Sequence, residues 1–150
     1  MPPENEICEL YQMLLCAWNE RNAAGMAALF ETAGRTIGFD GSELLGRAMI
    51  KAELAKIFAQ HPTPVYIATV RGVHFPRPDV AILSGVAGMI PRGKLELNPA
   101  LNAVQTLVAV KIDQAWCITL FQNTPAAYHG RPELSQALTD ELRQLLPRAD

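Results

Sequence analysis

The sequence has 150 residues, of which 49% are hydrophobic and 19% charged, and this balance predicts one globular domain, residues 1–150, with its own core. The formal net charge is −2 and there is no basic run, so binding to nucleic acid is not expected. No apolar run approaches the roughly 18 residues that a membrane helix needs, and the polar N-terminal segment does not resemble a signal peptide, so we expect a cytoplasmic protein without a membrane partner.

Cysteines and histidines give no sign of a metal site. Cys8, Cys16 and Cys117 are scattered, so they predict neither a disulfide framework nor a zinc site. The three histidines lie far apart in the sequence, without the short spacing of metal ligands. Phosphate loops and dinucleotide-binding glycine patterns are also missing from the sequence. We therefore predict no metal and no cofactor.

The first sixty residues predict two helices, a hairpin and a third helix. Apolar residues at helical spacing indicate a helix at about 4–21, and Asn22 is a suitable cap for a short second helix. The buried side of that second helix would carry Met26, Leu29 and Phe30. Asp40-Gly41 is the turn signal of a hairpin, and a further helix is predicted at about 47–60.

The second half of the chain is rich in predicted strands. These strands lie at about 65–75, 80–89, 102–112 and 115–123, and a last helix is predicted at about 132–146. Helices followed by a run of strands indicate an α+β fold. We predict a strongly curved, antiparallel or mixed sheet, with the first three helices on its concave face and a C-terminal helix. Such a cone has an open end, which is a natural ligand pocket.

The hairpin of the last two strands is predicted to form the back wall of this pocket, because it carries uncharged amides among apolar residues. Strand alternation makes Asn102 and Thr106 the inward candidates on the first strand. On the second strand we expect the face of Trp116 to point inward, which brings Gln122 to the pocket. Asn123, at the end of the strand, is expected to turn toward the mouth of the cone. Structural hydrogen bonds to loops are the alternative role for the amides.

The opposite face of the same hairpin would then be apolar and exposed. Its residues would include Leu107, Thr119 and Phe121, and such a surface predicts a homodimer through the outer sheet face. A β-bulge in either strand would exchange the two faces.

Two ionisable residues are candidates for proton transfer. Asp40 would act as a general base if an apolar pocket raised its pKa, and its alternative role is the Asp-Gly turn. His129 follows the last strand, where the chain could cross the mouth of the cone, and its alternative role is to anchor the last helix. Large apolar residues are candidates for the pocket wall or for plain core: Trp18, Phe30, Phe58 and Met89.

Three stretches of the sequence resemble a known family. They are GFDGSELLGRAMIKAELAKIFAQHP, NPALNAVQTLVAV and the run from Trp116 that continues as LFQNTPAAYHGRPEL. Together they resemble the NTF2-like superfamily, in its SnoaL-like branch and SgcJ/EcaC-type group. The resemblance implies a cone-shaped α+β domain, often dimeric, whose relatives include isomerases, polyketide cyclases, dehydratases and non-catalytic ligand binders.

These observations lead to one main hypothesis and two alternatives. The protein is expected to bind a small, largely apolar molecule, with cofactor-free acid–base catalysis as one version. In that version Asp40 or His129 moves the proton, while Asn102 and Gln122 stabilise an oxyanion. The alternatives are a non-catalytic ligand carrier and a homodimeric association domain.

Overall fold

The computed structural model describes residues 2–147, which form four α-helices and six β-strands. The helices are α1 (Pro3–Asn19), α2 (Ala23–Ala27), α3 (Arg47–Gln60) and α4 (Pro132–Arg143). The strands are β1 (Phe30–Ile37), β2 (Glu43–Leu45), β3 (Val65–Arg77), β4 (Val80–Ile90), β5 (Ala103–Ile112) and β6 (Ala115–Pro125). The predicted α+β class is confirmed.

Local chemistry fixes where the first helices begin and end. Pro3 starts α1, where a missing backbone N–H costs nothing, and Glu4 and Glu6 lie near its positive end. Asn22 caps α2, because its side chain accepts a hydrogen bond from the Gly25 backbone at 2.9 Å. The assignment of Phe30 to the second helix was wrong: α2 ends at Ala27, and Phe30 opens β1 with its side chain fully buried.

The six strands form one mixed sheet in the order β2-β1-β6-β5-β4-β3. Strands β3 to β6 pair antiparallel, β1 joins β6 in parallel, and β2 folds back on β1. The register shifts between Val70 and Gly72 in β3, and opposite Val108 and Ala109 of β5. Such bulges bend and twist a sheet, and this sheet is strongly curved.

The concave face of the sheet packs against α1, α2 and α3. Central strands contribute Leu83, Leu107 and Ile118, all with no exposed surface. The helices bury one stripe each against them: Ile7, Leu10, Tyr11 and Leu14 from α1, and Ile50, Leu54 and Phe58 from α3. This apolar contact is the main stabilising feature of the fold.

Helix α4 lies on the opposite, convex face, over one end of β3 and β4. Leu138 and Leu142 of α4 pack with Val86 and Leu97 in a second apolar cluster. Gly88 makes this approach possible, because a Cβ atom there would lie 2.9 Å from Leu97 and 3.1 Å from Leu142. The end of the sheet beneath α4 is therefore covered on both faces.

Candidate ligand-binding cavity

A cavity of about 550 Å³ lies between the helices and the concave face of the sheet. It opens beside the β1–β2 turn and the segment 61–64, and α1 and α3 form its sides. Its wall is mostly apolar, with contributions from Leu15, Trp18, Met26, Ile50, Leu54 and Phe121. The helices thus cover this end of the cone without filling it.

Trp18 organises one side of the cavity. Its ring lies edge-on to Phe58, with centroids 5.2 Å apart, and is tilted against Tyr66 at 5.6 Å. Its indole N–H donates to the Pro64 carbonyl at 2.9 Å. The orientation of the Trp18 ring is therefore fixed by both packing and hydrogen bonding.

A chain of uncharged hydrogen bonds runs through the core to the cavity wall. The Tyr11 hydroxyl donates to Gln105 Oε1 at 2.5 Å, and Gln105 Nε2 donates to Asn123 Oδ1 at 3.1 Å. Asn123 Nδ2 then donates to the Tyr66 hydroxyl at 3.2 Å. Tyr11 and Gln105 are buried behind the wall, whereas Asn123 and Tyr66 line the cavity. The polar end of the cavity is therefore a phenol and an amide.

Both phenols of this chain stay neutral at physiological pH. Burial raises the pKa of Tyr66 to about 12, an effect that the hydrogen bond from Asn123 reduces. Burial also raises the pKa of Tyr11, and the nearby Tyr66 adds to the effect. Neither hydroxyl serves as a base near neutral pH, and both keep their hydrogen, which Tyr11 donates to Gln105.

Asp40 lies at the rim of the cavity and is exposed. Its carboxylate accepts a hydrogen bond from the Ser42 backbone at 2.9 Å, and this bond holds the pKa of Asp40 below its ordinary value. The hypothesis of a buried base with a raised pKa is contradicted, because water and the turn both stabilise the charged form. Asp40 forms the turn, which was its alternative role.

Two arginines fix the rim on the side of segment 61–64. Arg21 donates to the carbonyls of Phe58 and His61 and to Thr63 Oγ1. Arg92 donates to the Thr63 carbonyl at 2.8 Å and to the Asn19 carbonyl at 2.7 Å. Because these bonds satisfy carbonyls at the ends of α1 and α3, this side of the mouth is tied to both helices.

The structure brings some of the predicted pocket residues together. Trp18, Met89, Asn123 and Asp40 line the cavity. Phe58 contacts Trp18 from behind the wall, and Phe30 lies in the core. Phe58 and Phe30 are therefore core residues, which was the alternative role given for the aromatic residues.

The predicted inward face of β6 was wrong beyond Ile118, because β6 contains a bulge. Ala109 of β5 pairs with Ile118, but Val108 pairs with Leu120, so Thr119 has no partner. Beyond the bulge the two faces exchange, as they do wherever one strand gains a residue. Gln122 therefore points outward.

On β5 the alternation itself was assigned to the wrong face. Gln105 and Leu107 are fully buried, and Thr106 between them lies on the outer surface. Phe121 and Leu107, which were expected on the outer surface, face inward. Thr106 and Gln122 are neighbours across the outer face and do not reach the cavity.

Asn102 and His129 lie at a separate cleft beside the start of α4. Asn102 is buried, and its Nδ2 donates to Thr139 Oγ1 at 2.9 Å, which ties α4 to the sheet. His129 is exposed on this cleft and does not line the cavity. Neither residue is in place to act on a molecule bound beside Tyr66.

The sequence analysis did not predict that Tyr11, Gln105 and Tyr66 belong to one chain of hydrogen bonds. Tyr11 occupies an apolar position of the first helix, and its hydroxyl gave no separate signal. Gln105 did give one, because it is the polar member of a face that continues with Leu107 and Ala109. Tyr66 had no distinguishing pattern.

Metal-binding clusters and membrane-spanning helices are both absent from residues 2–147. No group of three or more His, Cys, Asp or Glu side chains is arranged to hold a metal ion in this part of the chain. No helix there is long and apolar enough to cross a membrane.

Solved structures resemble this fold over most of the chain. A protein of unknown function with a cystatin-like fold from Nostoc punctiforme is 23% identical, with a TM-score of 0.79 over 97% of this chain and 98% of that one. A putative calcium/calmodulin-dependent protein kinase type II association domain from Thiobacillus denitrificans is 16% identical, with a TM-score of 0.68 over 77% and 91% of the two chains. An NTF2-like protein of unknown function from Shewanella oneidensis is 19% identical, with a TM-score of 0.63 over 83% and 99%.

By sequence alone, no family model and no curated protein matches the chain. The structural likenesses show that the fold is NTF2-like, as the sequence predicted. The narrower SgcJ/EcaC-type assignment stays a prediction.

Proposed function

We propose that this protein binds a small, largely apolar molecule in the cavity beneath α1 and α3. The observation that carries the proposal is an apolar cavity of about 550 Å³ with an ordered polar end at Tyr66 and Asn123. Ligand sites in proteins typically measure about 300–1,000 Å³ and combine apolar walls with a few fixed polar groups. A filled cone would have been more stable, so the open space supports a binding role.

Binding without proton transfer has more support than catalysis. Asp40 has a lowered pKa and lies at the rim, and His129 lies at the other cleft. The two polar groups at the closed end are a neutral phenol and an amide, which bind and orient rather than remove a proton. A ligand carrier is therefore our leading version of the proposal.

An uncharged dye can test whether the cavity is a binding site. Nile red brightens in apolar surroundings, and we expect saturable binding at one site per chain. Ile57→Trp adds bulk to the cavity wall, whereas Lys51→Trp places the same side chain on the exposed surface of the same helix. We expect Ile57→Trp to weaken binding at least tenfold and Lys51→Trp to leave it unchanged.

Thermal unfolding of both variants shows whether they are folded. If Nile red binds the wild type and the folded Ile57→Trp variant equally well, the dye is not in this cavity. If the wild type binds neither Nile red nor benzophenone, a smaller uncharged aromatic molecule, the proposal fails.

Self-association through the outer sheet face is a second candidate function. Ile82, Val108 and Leu120 form a row across three central strands, and all three remain partly exposed. The next row, Val80, Val110 and Cys117, is also apolar. Apolar rows on an open sheet favour a second copy of the chain. The Thiobacillus protein named above is described as an association domain, which agrees with this candidate.

Sedimentation velocity tests this candidate directly. The wild type is expected to sediment as a dimer and Val108→Glu as a monomer, because a carboxylate in the middle of the row is costly to bury. Ala55→Glu places the same charge on an exposed site of α3 and is expected to stay dimeric. A monomeric wild type at high concentration excludes the second candidate.

A further inference from the structure

We infer that the cavity selects apolar molecules that carry a carbonyl or another hydrogen-bond acceptor, because Tyr11 fixes the direction of the hydrogen bonds that end at Tyr66. This inference rests on the proposed ligand-binding function and specifies the chemical class of the ligand. It depends on the four connected side chains and on which of them are buried.

The direction is set at the buried end of the chain of hydrogen bonds. Tyr11 is 2% exposed, and within residues 2–147 its hydroxyl has one hydrogen-bond partner, Gln105. If the Gln105 amide group donated to Tyr11 instead, the Tyr11 hydroxyl hydrogen would be buried without an acceptor. Buried donors without acceptors are costly, so Tyr11 donates and Gln105 presents its oxygen to Tyr11.

This choice determines each following bond. Because Gln105 Oε1 accepts from Tyr11, Gln105 Nε2 faces Asn123 and donates to Asn123 Oδ1. The Asn123 amide group then faces Tyr66 and donates to its hydroxyl oxygen. Each amide in the series is held in one orientation by its neighbour.

Tyr66 is left with an unused hydrogen. Its oxygen accepts from Asn123, and in the part of the chain that the structure describes its O–H donates to no other group. Tyr66 lines the cavity, so this donor is available to water or to a ligand there. A ligand with an acceptor satisfies the donor, whereas a ligand without one displaces water and leaves it unpaired.

A matched pair of probes distinguishes the two cases. Benzophenone carries a ketone oxygen, and the diphenylethylene in which a methylene group replaces that oxygen has nearly the same shape. We expect benzophenone to bind the wild type about tenfold more tightly, the cost of one buried unpaired donor. Trp18 fluorescence in a Trp116→Phe background reports binding, because Trp18 lines the cavity and the chain has two tryptophans.

Tyr11→Phe is the decisive variant, because Tyr11 does not line the cavity. Without the Tyr11 hydroxyl, the two amides can reverse, and Tyr66 can then donate to Asn123 when no ligand acceptor is present. Reversal leaves both hydrogens of Gln105 Nε2 unpaired, whereas the original direction leaves one of those hydrogens and the Gln105 oxygen unpaired. The cost of unpaired polar groups is therefore the same for both probes, and the preference for benzophenone should fall to about twofold or less.

Tyr66→Phe removes the donor itself and should also abolish the preference, mainly by weakening benzophenone binding. If either variant unfolds, Gln105→Met, which removes the link between Tyr11 and Asn123, provides the same test. Equal affinity of the wild type for both probes would overturn the inference but leave the binding proposal intact. A tenfold preference that survives in folded Tyr11→Phe would also overturn it, whereas failure of both probes and of Nile red to bind would reject the binding proposal itself.

Discussion

Replacing Gly85 with alanine tests how tightly the buried phenol of Tyr11 is held. Gly85 lies on the concave face of β4, opposite Gln105 of β5. A Cβ atom at Gly85 would lie 2.9 Å from the Tyr11 hydroxyl oxygen, 3.2 Å from Tyr11 Cζ and 3.3 Å from the Thr69 carbonyl oxygen. Since the carbonyl belongs to a paired strand, the phenol has to move.

Movement of the phenol has two costs. Forcing an extra methyl group into a packed core typically costs about 1–3 kcal/mol. Displacing Tyr11 also weakens its 2.5 Å hydrogen bond to Gln105 and leaves a buried carbonyl poorly paired, at about 1–3 kcal/mol. Alanine lowers the entropy of the unfolded chain, which returns about 0.4–1 kcal/mol. We expect Gly85→Ala to lower the free energy of unfolding by about 2–4 kcal/mol.

Gly72→Ala is the matched control, because a Cβ atom there meets nothing within 4 Å. Urea unfolding followed by circular dichroism should show Gly72→Ala within about 1 kcal/mol of the wild type. In a Tyr11→Phe background the penalty of Gly85→Ala should shrink by about 1 kcal/mol or more, because the nearest atom is gone. Equal effects of the two alanines, or strict additivity with Tyr11→Phe, would refute the close contact described here.

Three further predictions concern ionisable groups. Because a hydrogen bond from the Ser42 backbone holds the pKa of Asp40 below its ordinary value, we expect the Asp40 carboxyl to titrate below about 3.9 by NMR. The resulting stabilisation is present above that pH and disappears only in stronger acid. A titration midpoint near 6 would restore the general-base hypothesis. Arg71 donates twice to Glu141, at 2.5 and 2.7 Å, and lowers the pKa of Glu141. Since the pair is partly exposed, Glu141→Gln should lower the free energy of unfolding by about 0.5 kcal/mol, and by less in high salt. A loss above about 2 kcal/mol would contradict a surface pair. Burial raises the pKa of Tyr66 to about 12, so the stability that the neutral phenol contributes is complete below pH 10 and should be lost as the pH rises from 10 to 12. Ultraviolet titration that shows Tyr66 ionising near pH 10 in the folded protein would exclude its burial.

The order of elements was predictable because it depends on local periodicity, and the cone followed from that order and from the family resemblance. Helical spacing located α1 and α3, and the Asp40-Gly41 turn located the first hairpin. The inward face of β6 beyond Ile118 was not predictable, because the bulge at Thr119 depends on the curvature of the whole sheet. The inward face of β5 was missed because strand alternation separates two faces without showing which one is buried. A single unpaired residue moved Gln122 outward, and the wall residues identified from its strand changed with it.

The polar end of the cavity escaped prediction for a different reason. Its members come from α1, β3, β5 and β6, and each one is unremarkable in its own segment. Asn123 was identified because an amide at a strand end is conspicuous. Tyr11 was identified as a core residue, which is correct, but its hydroxyl has meaning only once Gln105 lies 2.5 Å away.

The two arginines at the rim make the mouth of the cavity asymmetric. Arg21 and Arg92 anchor the segment 61–64 on one side of the mouth. The other side, residues 38–42, is the turn that leads into β2, the shortest strand, at the edge of the sheet. We expect a bound molecule to leave past this turn, so that its residence time depends on how often the edge strand β2 separates from β1. Amide hydrogen exchange in β2 and the dissociation rate of a guest should accordingly rise and fall together.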